Sequence, residues 1–107
     1  MLPRIAIICL FVVLPALAAA TGTGVETLDR RVAEASSPSE RAGALVARGE
    51  ALRRAGLHGE GLADLEAAVD LAPEGAERRH ALAALGMAQA DNGLAEAEAT
   101  LRAAIEE

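Results

Sequence analysis

The 107 residues include one cysteine, one aromatic side chain and no lysine, and carry a net charge of −6. That length supports one small domain. Its acidity repels phosphate backbones, which excludes generic binding to nucleic acid or to anionic membranes.

The chain opens Met1-Leu2-Pro3-Arg4 and runs apolar from Ile5 to Leu14; Pro15 interrupts the run before Ala16-Leu17-Ala18-Ala19-Ala20. A positive amino end, a short apolar stretch and small residues in an A-x-A arrangement make up a secretory signal peptide. Residues 1–20 are therefore read as a signal, with Ala18 and Ala20 as the small pair and cleavage between Ala20 and Thr21. The alternative is a retained membrane anchor. Ile5 to Ala20 is only 16 residues, against roughly 17–25 for a spanning helix, and Pro15 weakens an anchor further. Cys9 lies inside the apolar run, with too few residues ahead of it for a lipoprotein signal. Once the signal is removed, disulfides, thiol chemistry and thiolate metal sites are excluded.

Removal of residues 1–20 leaves 87 residues, in which nine arginines face sixteen acidic side chains for a net charge of −7. Phe11 leaves with the signal, so the core is built from Leu, Val, Ile, Met and much Ala. Alanine favours helix but buries little area, and hydrophobic stabilisation scales at roughly 25 cal/mol per Å². Low stability alone, or stabilisation by self-association or a partner, is the expectation.

Thr21 to Gly24 reads as a flexible start. Val25 to Ala35 forms a short helix with Val25, Leu28 and Val32 on one face. Ser36-Ser37-Pro38 ends it and opens the next helix, where Ser37 and Glu40 fit a capping box. That helix runs from Pro38 to about Ala55 and places Leu45, Gly49, Leu52 and Gly56 on one side. A helix over Glu60–Leu71 carries Leu62, Leu65, Val69 and Ala72, and Ala72-Pro73 closes it. A helix over Glu74–Ala90 carries Leu82, Leu85 and Ala88. Asp91-Asn92-Gly93 is a turn signal. The last helix spans Leu94 to about Glu106, with Leu94, Ala97, Leu101, Ala104 and Ile105 in register. No segment alternates like a strand, so the fold class is all-α. The chain divides into a signal (1–20), a flexible start with a short helix (21–37) and a helical repeat domain (38–107).

The helices pair into hairpins whose residues recur. Ala55-Gly56-Leu57 returns as Asn92-Gly93-Leu94 after 37 residues, and Leu65-x-x-Ala68-Val69 returns as Leu101-x-x-Ala104-Ile105 after 36. The first unit reads Leu45-x₂-Arg48-Gly49-x₂-Leu52, then Gly61-x₃-Leu65-x₂-Ala68, and ends at Pro73. The second reads Leu82-x₂-Leu85-Gly86-x₂-Gln89, then Ala97-x₃-Leu101-x₂-Ala104. From about Ala42 to Glu107 the chain resembles the tetratricopeptide repeat family, a two-helix unit of about 34 residues with a W-x₂-L-G-x₂-Y…A-x₃-F…P pattern. It departs from that pattern at Arg48, at Gln89 and wherever an aromatic is expected. Gly49, Gly61 and Ala68 let the paired helices approach closely. The alternative is a generic alanine-rich bundle.

The resemblance implies a short α-solenoid of two hairpins whose first helices line a concave face that binds a protein or peptide partner. On Pro38–Ala55 and Glu74–Ala90 the polar candidates for that face are Arg48, Arg53, Arg54, Arg78, Arg79 and Gln89. Arginine offers carboxylates a bidentate geometry; the competing reading is pairing with nearby glutamates of the same chain. The last helix ends without a polar cap, and two units are few for an independent array. Self-association or capture by a partner is expected, and a remnant of a longer repeat protein is an alternative.

No set of residues supports a reaction. His58 and His80 lack an i, i+4 histidine, no serine sits in a nucleophile turn, and no phosphate loop exists without lysine. The expectation is a non-enzymatic, cofactor-free adaptor that is exported, periplasmic or secreted, with an inner-membrane tether as the alternative if residues 5–20 are retained. An enzyme or ligand-binding subunit completed by a partner's residues is the third reading.

Overall fold

The computed structural model describes residues 25–107, and the expected signal segment and cleavage site lie outside the described residues. Among the described residues the chain is all-helical. We number the helices α1 (25–34), α2 (Pro38–Arg54), α3 (His58–Leu71), α4 (Ala76–Asp91) and α5 (Ala97–Glu106). Helix α2 packs along α3 and α4 along α5, while α4 also packs against both α3 and α2.

Ser37 starts α2 as expected: it is extended (φ −139°, ψ 159°), and its side chain accepts a hydrogen bond from the Glu40 backbone N–H at 3.1 Å. The return arm reaches one residue further than a standard capping box. Glu40 Oε2 accepts from the Ser36 backbone N–H and from Ser36 Oγ, each at 3.0 Å. These hydrogen bonds, the backbone one foremost, hold the Glu40 carboxyl below its ordinary range.

Both hairpin turns close in the same way. Gly56 takes φ 88° and Gly93 φ 68°. The Gly56 N–H donates to Arg53 O and the Leu57 N–H to Leu52 O; the Gly93 N–H donates to Ala90 O and the Leu94 N–H to Gln89 O. This is the Schellman arrangement, which needs a left-handed residue after the helix end, a conformation that glycine adopts without a Cβ penalty. The recurrence of Gly-Leu after 37 residues is thus a recurrence of backbone geometry.

Three helix starts differ from the sequence reading. Helix α3 begins at His58, two residues before Glu60. Helix α4 begins at Ala76 rather than Glu74, because Pro73 O accepts from the Arg78 N–H and Gly75 takes a left-handed φ. Helix α5 begins at Ala97 rather than Leu94. The Leu94 N–H is committed to the preceding turn, and Leu94 O accepts from the Ala97 N–H in a tight turn of its own.

The core cluster holds Ala42, Leu45, Val46, Leu65, Ala68, Ala72, Ala81, Ala84, Leu85 and Ala88, with Val32 of α1 and Leu62, Val69 and Leu71 of α3 packed against it. Leu65 is its largest fully buried side chain. With so much alanine, close helix approach substitutes for bulk. At the α2–α3 crossing, a Cβ on Gly49 would lie 2.9 Å from both Gly61 O and Leu65 Cγ, and a Cβ on Gly61 would lie 2.7 Å from Gly49 O. At the α4–α5 crossing, a Cβ on Gly86 would meet Leu101 Cγ at 2.6 Å. Gly49 against Leu65 and Gly86 against Leu101 are equivalent pairs in the two sequence units. On α5, Ala97 and Ala104 are buried, but Ile105 is 83% exposed. One residue past Ala104 is about 100° around the helix, which carries Ile105 off the packed side.

Candidate partner-binding groove

The first helices of the two hairpins, α2 and α4, lie side by side, and residues 38 apart face each other across the seam. Ser39 Oγ donates to Glu77 Oε2 at 2.5 Å near the amino-terminal ends. Arg53 Nη2 donates to Asp91 Oδ2 near the carboxyl-terminal ends. Between these polar clasps the seam opens into two hollows. One, of about 390 Å³, is lined by Ser39, Ala42, Gly43, Val46, Ala76, Glu77, His80 and Ala81. The other, of about 430 Å³, is lined by Glu50, Arg53, Arg54, His58, Ala84, Met87 and Asp91. Helix geometry explains this division: positions three or four apart on α2 return Ala42, Gly43, Val46 and Glu50 to one stripe, and α4 does the same with Ala81, Ala84 and Met87.

The six polar residues singled out from the sequence are scattered. Arg48 is turned inward to hold three helices together. Its Nε and Nη2 donate to Asp64 Oδ2 and Oδ1 of α3 at 2.6 and 2.9 Å, and its Nη1 donates to Asp29 Oδ1 of α1 at 3.0 Å. The Asp64 hydrogen bonds push the guanidinium pKa above its ordinary value, with Asp29 adding to the effect. A forked, bidentate pair of this kind fixes orientation as well as charge. Arg53 and Arg54 line the same hollow, but Arg53 is clasped to Asp91, and its Nε is buried with no partner. Arg54 is exposed and makes no ion pair among the described residues. Arg78 lies 3.9 Å from Glu74, one helical turn away, with its Nε buried and unpartnered. Arg79 is exposed and lines neither hollow. Gln89 is 8% exposed, and its Oε1 is buried with no donor.

In comparisons with family models, curated proteins and solved structures, nothing matches this chain.

The residues that shape the groove were mostly passed over in the sequence. Gly43, Val46, Ala81, Ala84 and Met87 carry no distinctive chemistry, and His58 and His80 were set aside as ordinary histidines. Yet each histidine lines one hollow, and Met87 is 61% exposed beside Arg54. The available signal was register: pairing α2 with α4 at a constant offset brings these residues together, whereas scanning each helix for charge selects Arg48 and Arg78. Among the described residues, no group of three or more His, Cys, Asp and Glu side chains could hold a metal ion, and no helix is long and apolar enough to cross a membrane.

Proposed function

We propose that this chain is an exported, tetratricopeptide-like scaffold that binds a protein or peptide partner along the α2–α4 groove and performs no chemistry of its own. The observation that carries this reading is the position of the groove: it lies between the first helices of the two sequence units, the elements that line the binding face in the family the sequence resembles. The paired glycine–leucine crossings and the matching Gly-Leu turns support two equivalent hairpins. The arrangement of residues 1–20 supports export, with release after Ala20 into the periplasm or the medium.

Two measurements test this. A photo-crosslinking residue at Met87, in the groove, is expected to capture a discrete protein partner in the producing cell, whereas one at Glu66, on exposed α3, is not. Equal capture at both positions, or none at Met87, refutes binding in the groove. Amino-terminal sequencing of the exported product is expected to begin at Thr21; a product beginning at Met1 in the membrane fraction establishes a tether instead.

A further inference from the structure

We infer that α1 is a third copy of the second repeat helix, folded as part of the same domain, and that α1 and α5 close the two ends of the array with charge. The chain then stands as a monomer, and a partner meets it along its sides rather than by stacking on an end. This rests on the scaffold reading above and narrows where the binding surface lies.

The recurrence runs further upstream than the two hairpins. Leu28-x₃-Val32 of α1 stands 37 residues before Leu65-x₃-Val69 of α3, which stands 36 before Leu101-x₃-Ile105 of α5. Ala35, just after α1, likewise stands 37 before Ala72. Packing follows this register. Val32 and Val69 both pack against the core cluster. Asp29 of α1 pairs with Arg48 of α2 at 3.0 Å, and Val25 and Asp29 share a hollow with Arg48 and Leu52. Helix α1 thus takes the place before α2 that α3 takes before α4.

The two outer copies differ from the middle one where they face away from the array. In α3, Ala68 is fully buried, and Leu62 and Leu71 pack against the core. Helix α1 has Arg31 and Glu34 at the places of Ala68 and Leu71, and both are exposed. They border an open hollow of about 430 Å³ with Glu40, Gly43 and Ala44. Those three correspond, 37 residues on, to Glu77, His80 and Ala81, which line the seam between α4 and α2. A preceding first helix would lie in that hollow, over two charged side chains. At the other end, α5 and its last residue place Glu98 and Glu107 where α3 has Leu62 and Leu71. Glu98 pairs with Arg102 at 2.7 Å, both largely exposed, and Glu107 Oε1 accepts from the Gly75 N–H at 3.4 Å. Stacking another unit on either end takes these charges out of water, which costs free energy unless the incoming face pairs each of them. Polar outer faces of this kind mark the terminal elements of repeat arrays. Ile105 is the one large apolar residue left exposed on α5, and a single such side chain is not a patch.

Sedimentation equilibrium and thermal melts of the chain purified from the producing cell, with Val32→Ala, Val69→Ala and Ile105→Asp beside it, test both halves. The parent chain is expected to sediment with the mass of one copy at every concentration at which it is helical. Ile105→Asp should leave mass and Tm unchanged, because water already covers that side chain. Val32→Ala should lower Tm by about 4–8 °C in a single transition, as Val69→Ala does at the equivalent place in α3. A parent chain that self-associates overturns the closed ends, and dissociation by Ile105→Asp would place that contact on α5. A Tm unmoved by Val32→Ala, or a separate early transition, overturns α1 as part of the domain. Neither readout involves the groove, so both hold whether or not a crosslinker at Met87 captures a partner. A crosslinker at Ile105 that captures the partner overturns binding along the sides while the scaffold reading stands.

Discussion

The glycine at the α2–α3 crossing gives the sharpest test of the packing. In Gly49→Ala the new methyl would lie 2.9 Å from Gly61 O and from Leu65 Cγ, where ordinary contact begins at 3.4 Å. Neither neighbour has room to move: Gly61 O is backbone, and Leu65 is fully buried. The helices must separate at the crossing, and overpacking of this kind costs about 1–3 kcal/mol. Alanine's better helix propensity offsets about 1 kcal/mol of that. The control is Gly43→Ala on the same helix, where the added Cβ meets nothing within 4 Å and only the propensity gain of about 1 kcal/mol remains. In urea titrations followed at 222 nm, Gly49→Ala should therefore be less stable than Gly43→Ala by about 1–3 kcal/mol at equal m-value. For a domain of this size, each kcal/mol corresponds to a shift of about 4–8 °C in Tm. If the two alanine variants are equally stabilised, α2 and α3 do not touch at Gly49, and the close-packed hairpin is wrong.

Three further outcomes are expected. Gln89→Leu should raise stability by about 1–2 kcal/mol in the same titrations, because it removes a buried acceptor that has no donor and restores the leucine found at the equivalent Leu52; a loss of stability would mean that Gln89 Oε1 is satisfied. A double-mutant cycle on Arg48→Ala and Asp64→Ala should give a coupling of about 1–3 kcal/mol, since the pair is forked and largely shielded from solvent; near-additive single effects would show that the pair does not tie α2 to α3. The Glu40 carboxyl, held below its ordinary 4.5 by the Ser36 hydrogen bonds, should titrate below that value by NMR and move part of the way back in Ser36→Ala. Its folded-state pKa is depressed, so its contribution to the α2 cap is present above pH 4.5 and is lost as pH falls through the lowered value. A Glu40 titration unmoved by Ser36→Ala would remove the side-chain bond from that account.

The helical class and the hairpin boundaries were readable because their causes are local. Ser37-Pro38 announces a helix start through a cap and a preset φ, and Gly56 and Gly93 announce stops because a left-handed residue is needed there. The starts of α3, α4 and α5 were misplaced by two, two and three residues, because none of the three has a side-chain cap to mark it. Gly49 and Gly61 announced the close approach of α2 and α3, and the structure shows the same small-against-large contact at Gly86 and Leu101 in the second unit.

The fate of each polar side chain was not readable in the same way. Arg48 and Arg54 sit on one helix with the same chemistry, yet Arg48 grips Asp29 and Asp64 while Arg54 faces an open hollow without an ionic partner among the described residues. The physical reason is distance along the chain. Arg48 meets Asp64 only after the Gly56 turn folds α3 back, and the groove exists only once α4 lies beside α2 at an offset of 38. Sequence alone settled the helical class, the capped start of α2 and the glycine turns after α2 and α4, through caps, propensities and glycines that act over a few residues. Which arginines are spent inside the fold, and which residues line the groove, was decided by packing between helices far apart in sequence.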